Sequence, residues 1–458
     1  MKDALRRRAR LGALLPLLLA ACTSLESADV ATEPAPAPVS AEVAQATFDD
    51  VWSTVREHHF DEKLNGLDWD AVRDELRPRA SEAATQAELR GVVNEMLGRL
   101  EQSHFGMMPR SNLPALDGSD DAETPDSLAG DLGLDVRARG GDVLVWKVTP
   151  GGPADAAGIR PGWILLRVDD LDVDAYFDEA ASVEDERAAR YATFQVHSRV
   201  MAETYGPIGS TAQVTLLDDG DREVVVEVTR GERDVEKHNF GTNLPTFYLH
   251  FDKATIERDG AKIGWIHWSN WFLPVMKPID QAVDEMRSHD GIVLDLRGNG
   301  GGAGAMVMGV AGHFFDERTD LGTQSSREGN MVYRASPRRI SPAGERVGPY
   351  SGKVAILVDE LTGSASEVFS GGMQSTGRVR VFGETSAGAV LPAVTKTLPN
   401  GDGLLYAFGD FKTSTGTLLE GLGVVPDVEV PLTRDSLLAG KDAALEAAIA
   451  WITGRELD

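Results

Sequence analysis

Apolar positions along the chain change their period twice. From Phe48 to Leu100 they recur at helical spacing, as Phe48, Val51, Trp52 and Val55 and again as Leu89, Val92, Val93, Met96, Leu97 and Leu100. A stripe of this kind predicts about three helices with one buried face. Between about Asp131 and Gly231 the pattern shortens to β-runs, Leu132–Val136, Val143–Val148, Ile164–Val168, Ala212–Leu217 and Glu223–Thr229, separated by Gly, Pro and Asp. Such runs predict a small β-domain. An Ala-, Glu- and Arg-rich stretch from Ala175 to Tyr205 interrupts it and reads as helical. From Lys262 onward strands alternate with helices: Ile263–Trp268, Met276–Ser288, Gly291–Leu296, Ala303–Phe314, Val354–Val358, a helix from Ser366, and Val379–Phe382. That alternation predicts an α/β core with a partly parallel sheet.

The first 46 residues carry neither pattern. Arg6, Arg7, Arg8 and Arg10 precede an apolar run from Leu11 to Ala21 that ends at Cys22, the single cysteine of the chain. A basic start followed by an apolar run too short to span a bilayer is a secretory signal layout. Leu19-Ala20-Ala21-Cys22 resembles the bacterial lipoprotein cleavage box, which makes Cys22 the expected lipidation site. One cysteine permits no intramolecular disulfide and no cysteine metal cluster. Ser24 to about Ala46, with Pro34, Pro36 and Pro38, reads as a tether. The expected organisation is therefore a signal peptide (1–21), a tether (22–46), a helical region (47–125), a β-domain (126–235) and an α/β core (240–455). A formal charge of −27 over 458 residues excludes a phosphate-backbone partner, whose binding needs clustered Lys and Arg.

Two segments of the core could carry chemistry. Gly291-Ile-Val-Leu-Asp295-Leu-Arg297-Gly-Asn-Gly-Gly-Gly302 runs a strand into a glycine-dense turn whose bare amides can approach a ligand. It lacks the Lys-Ser/Thr of a phosphate-binding loop. Strand Val354–Val358 leads through Gly363 to Ser364-Ala365-Ser366-Glu367 and a helix. A serine at such a turn suits a nucleophile, although Ser364 with Glu367 also fits a plain S-x-x-E capping box. The eight histidines other than His104 form no HExxH pair, and the adjacent His58 and His59 diverge on a helix. Trp265, Trp268 and Trp271 fall three apart, which suits core packing.

Asp295-Leu-Arg-Gly-Asn-Gly-Gly-Gly302, Gly363-Ser-Ala-Ser-Glu367, Val381-Phe-Gly-Glu-Thr-Ser-Ala-Gly388 and Glu420-Gly-Leu-Gly-Val-Val-Pro-Asp427 occur in this order. Together they resemble the C-terminal processing (tail-specific) peptidases, in the clan of the tricorn protease core. Leu132-Gly133-Leu134 resembles the carboxylate-binding loop of PDZ domains, as do Val148–Ala154 and Ala157–Gly162 the PDZ segment of those peptidases. The resemblance implies an α/β catalytic core of the ClpP/crotonase-like kind, with an N-terminal helical region and an inserted PDZ-like β-domain. It implies a serine endopeptidase acting on proteins or peptides with free C-termini, in the bacterial envelope at the outer membrane or periplasmic face, with no cofactor or metal.

The family resemblance also assigns roles. Many members pair the serine with a Lys in a Gly-Lys-Gly sequence, but that position here is Ala389. The tricorn-like branch instead uses a Ser-His pair far upstream and a late Glu, which correspond to Ser103, His104 and Glu420. Ser364 is then the nucleophile, His104 the base and Glu420 the group orienting it, directly or through Ser103. Ala365 and Gly301 are the expected oxyanion donors. An ordinary imidazole would make activity rise through roughly pH 6–7. Were His104 not the base, Lys396 is the nearest downstream lysine. The missing Lys also leaves open a non-catalytic peptide-binding lipoprotein on a degenerate peptidase scaffold.

Overall fold

Helices span Ala41–His58, Trp69–Glu82 and Gln86–Gly98, each started by a side chain that accepts a hydrogen bond from the first turn: Ser40, Asp68 and Thr85. The first begins six residues ahead of Thr47, inside the stretch expected to be tether, because Ser40 caps it through Val43 N. Phe48, Val51, Val55, Leu76, Leu89, Val93 and Met96 are fully buried in a common core. That core also takes in Leu398 and Leu404 from the far end of the chain. Strand Gly106–Met108 completes the attachment by pairing antiparallel with Gly403–Leu405. This computed structural model describes residues 37–109, 129–139, 141–173, 175, 186–233, 235–238 and 247–455. The signal run, Cys22 and most of the tether lie outside the described residues. Among the described residues no helix is long and apolar enough to cross a membrane.

The β-domain is a sheet in the order Leu134–Arg139, Asp142–Val148, Ile164–Val168, Thr211–Leu217 and Glu223–Thr229, with neighbours antiparallel. Helix Glu186–Thr204 falls in the stretch expected to be helical. Val196 and Val200 on it bury against Leu134 and Val136.

In the core, the sheet runs Phe251–Arg258, Ala261–Trp268, Gly291–Asp295, Lys353–Val358, Arg380–Gly383 and Val428–Glu429. The first pair is antiparallel and the rest parallel. Helices Leu273–Glu285, Ala305–Ala311 and Ala365–Ser375 cover one face, and Ala443–Thr453 the other. Central strands Gly291–Asp295 and Lys353–Val358 are apolar almost throughout because both faces are covered. Trp268 and Trp271 are fully buried edge-to-face, 5.1 Å between rings. Both catalytically suggestive turns leave the carboxyl ends of adjacent parallel strands, where open α/β sheets present their clefts.

Candidate active site

Ser364 caps helix Ala365–Ser375 with φ 52° and ψ −118°, a left-handed conformation that costs a non-glycine residue roughly 1–3 kcal/mol. Three contacts hold it there. Its amide donates to Ala389 O at 2.8 Å and to Glu367 Oε2 at 3.1 Å, and the glycine turn packs on its other side. A methyl group added at Gly301 would lie 2.5 Å from Ser364 Cβ and 2.9 Å from Ala365 N, so only glycine fits. The Ala365 amide, first of the helix, donates to no acceptor among the described residues. The Gly301 amide donates to Asn299 Oδ1 at 3.0 Å, so in this structure it is not turned toward Ser364.

Ser103 and His104 lie in the segment between the third helix and strand Gly106–Met108. Glu101 and His104 both have positive φ, 51° and 60°. Glu420 fixes this segment to the core: its carboxylate accepts from Ser103 N at 2.8 Å, Ser103 Oγ at 2.9 Å and Val390 N at 3.1 Å. Ser103 Oγ is in turn 2.8 Å from His104 Nδ1. Because the Ser103 hydroxyl proton is given to Glu420, its oxygen accepts from His104 Nδ1–H. That tautomer leaves Nε2 as the basic nitrogen. Burial pushes the imidazole down to about 4, so it is neutral at physiological pH. Ser364 binds Ala389 and Glu420 binds Val390, so two consecutive residues carry the nucleophile candidate and the base chain on one strip. No hydrogen bond joins Ser364 Oγ to the imidazole here, and such bonds often tighten only when substrate is bound.

The competitors are engaged elsewhere. Lys396 Nζ lies 2.7 Å from Asp50 and 3.0 Å from Thr54 Oγ1, tied to the first helix. His59, His197, His267, His289 and His313 hydrogen-bond to Gln102, Asp135, Asp295 O, Thr255 and Asp280. Among the described residues no cluster of His, Cys, Asp and Glu could hold a metal. Two residues that the sequence reading passed over sit against the site. Glu367, read as a capping residue, is fully buried and binds four donors. Asp359 accepts from Gly298 N at 2.9 Å and Leu361 N at 3.2 Å, joining the glycine turn to the nucleophile turn. The Asp-Glu-Leu-Thr-Gly sequence and the apolar company of Glu367 were the available signals.

In the β-domain, the Leu132-Gly133-Leu134 loop differs from expectation. Leu132 N donates to Thr204 O at 3.2 Å and Gly133 N to Asp131 Oδ1 at 3.0 Å, while the Leu132 and Leu134 side chains are buried. These amides are not free. A cavity of about 220 Å³ adjoins the loop, lined by Asp131, Gly133, Thr149, Pro153, Glu232 and Arg233 among others. Burial pushes the Asp131 carboxyl up.

A strained serine at a strand-to-helix turn, linked through Ala389 and Val390 to an uncharged imidazole on a hydroxyl–carboxylate chain, is the equipment of a serine hydrolase. Comparison with known proteins narrows the class. Residues 262–430 match Peptidase family S41 and residues 40–98 the Tricorn protease C1 domain. The carboxyl-terminal-processing protease of Picosynechococcus is 27% identical over 389 residues, covering 83% of this chain and 81% of that one. Tricorn protease homolog 1 of Streptomyces coelicolor is 25% identical, over 88% of this chain and 34% of its own length. Among solved structures, the photosystem II D1 C-terminal processing protease shares the fold with a TM-score of 0.56 at 23% identity, over 88% of this chain and 98% of that one. Mature CPAF does so at 0.58 and 14%, over 90% and 96%. With the S41 and tricorn C1 matches and the carboxyl-terminal-processing relatives, the protein is a serine-type peptidase.

Proposed function

We propose that the protein is an endopeptidase of the C-terminal-processing kind, working through Ser364, His104, Ser103 and Glu420. The observation that carries this reading is the chain from Glu420 through Ser103 Oγ to His104 Nδ1, which leaves Nε2 to take a proton. Ser364 Oγ attacks the scissile carbonyl as its proton passes to Nε2. His104 then gives that proton to the leaving amine, and water attacks the acyl-enzyme with Nε2 again accepting a proton. The free Ala365 amide is one donor to the oxyanion. Gly301 becomes the second only if its amide leaves Asn299. Each donor is worth roughly 3–4 kcal/mol.

In the same reading the β-domain, PDZ-like in sequence, binds the substrate's C-terminal segment. Capture of a terminal carboxylate there requires Asp131 to release Gly133 N. The basic start, apolar run and Cys22 support a lipid anchor in the bacterial envelope. Ser364→Ala should abolish cleavage of an unfolded protein while leaving binding of its C-terminal peptide intact. Cleavage persisting in that variant would overturn the assignment, and a wild type that binds peptide without any turnover would favour the non-catalytic scaffold. A peptide amidated at its C-terminus should bind more weakly than the free acid; equal binding removes carboxylate capture.

A further inference from the structure

We infer that Glu367 is the positioning residue that assembles the nucleophile turn, and that it does so only as a carboxylate. The inference deepens the proposed catalytic reading and rests on it. Glu367 is fully buried one helical turn beyond Ser364. Its Oε1 accepts from Ser386 Oγ at 2.6 Å and Gly388 N at 2.7 Å, and its Oε2 from Ala389 N at 2.9 Å and Ser364 N at 3.1 Å. All four partners are donors. Two of them are backbone amides of the loop whose Ala389 O accepts from the Ser364 amide and whose Val390 N donates to Glu420. The carboxylate therefore fixes Ser364 and the strip bearing the base chain with one group.

A shell of donors alone has a chemical consequence. Adding a proton to either oxygen aims an O–H at groups that can only donate or are already donating, and those partners lose their acceptor. A glutamine is disfavoured for the same reason: its NH₂ faces either the Ala389 and Ser364 amides, or the Gly388 amide and a Ser386 hydroxyl that already accepts from Val424 N at 2.6 Å. The donors favour the charged form, yet burial outweighs them and pushes the carboxyl up to about 7. Charged groups on the surrounding elements are engaged elsewhere: Glu384 with Arg139, Glu420 with Ser103 and Val390, Asp320 with Arg334. Arg380 lies over the rings of Phe382 and Trp451, and Asp410 and Lys412 on the neighbouring strand form no bond to Glu367. Among the described residues no ion pair compensates it. Loss of Glu367 ionisation, and not protonation of His104, then sets the acid limb of activity.

The test is the pH dependence of kcat and KM from about pH 5 to about 9 on an unfolded protein, together with the rate at which a fluorophosphonate probe labels Ser364. Wild-type kcat/KM should rise through about 7. Glu367→Gln should lose about 100-fold, mainly in kcat, with proportionally slower labelling and without that limb. Ser386→Ala removes one donor to the carboxylate, so its limb should move to higher pH, a shift that a merely structural role would not produce. Should Glu367→Gln not fold, the Ser386→Ala shift alone decides. The inference is overturned by Glu367→Gln activity within about threefold of wild type, by a limb near 7 persisting in it, or by an unmoved limb in Ser386→Ala. Failure of the catalytic reading looks different: the probe would not label Ser364 in the wild type, and Ser364→Ala would keep its turnover.

Discussion

In the catalytic reading proposed above, His104 serves as base because burial keeps water, and with it the proton, away from the ring. An exposed imidazole titrates near 6.5, but burial here disfavours the charged ring and brings it down to about 4. The sign of the consequence is definite: the neutral, proton-accepting form persists as pH falls from 7 until about 4. An ordinary imidazole would instead place that limit at roughly pH 6–7. A ring so placed needs help when it becomes charged, and the Ser103 hydroxyl on Glu420 supplies it. His104→Ala should lower turnover about as severely as Ser364→Ala, and the double variant little further, because members of one catalytic unit are non-additive. Glu420→Gln should cost less, since the amide oxygen can still receive Ser103 Oγ and Val390 N, although the negative charge is lost and the NH₂ then faces the Ser103 amide. Steady-state kinetics of the four variants checks this. Full activity in His104→Ala would send the search for a base elsewhere, and Lys396, paired with Asp50, is not placed to answer it.

At the scale of elements, two adjacent parallel strands aim their following turns at one point, and small residues let those turns touch. Gly301 has φ +105°, and any Cβ there would collide with Ser364 Cβ, Ala365 N and Gly363 O. Gly301→Ala should therefore reduce kcat by at least about 100-fold through displacement of Ser364. Its far-ultraviolet circular dichroism should remain that of the wild type; near-normal kcat would show that the turns have slack. Much of this was legible beforehand. Alternation of strands and helices gave the parallel core because doubly covered strands are apolar throughout, as Ile292, Val293 and Leu294 are. The family resemblance of the glycine turn, Ser364 and Glu420 pointed to the candidate site. What periodicity did not carry were polar contacts between distant segments. Glu367 looks like a capping residue in any window of the sequence, and its grip on Ser386 and Gly388 exists only after the chain has folded back. The same holds for Asp131, whose carboxylate occupies an amide that the PDZ-like motif alone would leave open.

Among the contacts that hold the described residues to the core, two attachments lead to the candidate site. One is the helical region, which brings Ser103 and His104 and is bound through the pairing of Gly106–Met108 with Gly403–Leu405. The other is a buried ionic seam under the β-domain. Arg137, 1% exposed, places Nε 2.9 Å from Asp359 and Nη1 2.9 Å from Asp135, and stacks 3.8 Å over Trp146. Arg139 beside it pairs with Glu360 and, at 2.7 Å, with Glu384. The Arg137 charge holds Asp359 below its ordinary carboxyl range against the desolvation that opposes it, whereas burial beside Asp359 pushes Glu360 up. Asp359 also fixes Gly298 and Leu361, so the seam continues into both turns of the site. Arg137→Met keeps the stem over Trp146 but strands a buried carboxylate, a change that costs about 3–5 kcal/mol. It should lower the thermal midpoint and reduce kcat together, because the group left unpaired is the one that aligns the glycine and nucleophile turns. A depressed carboxyl contributes stability above its unfolded value, 3.8, and loses it as pH falls through the folded one. The wild type's advantage over Arg137→Met should therefore be full at neutral pH and shrink below about 4. Calorimetry of both proteins across that range, paired with kcat at neutral pH, decides the matter: an unchanged midpoint would mean the seam is loose in solution, and a lowered midpoint with normal kcat would mean that docking and catalysis are independent.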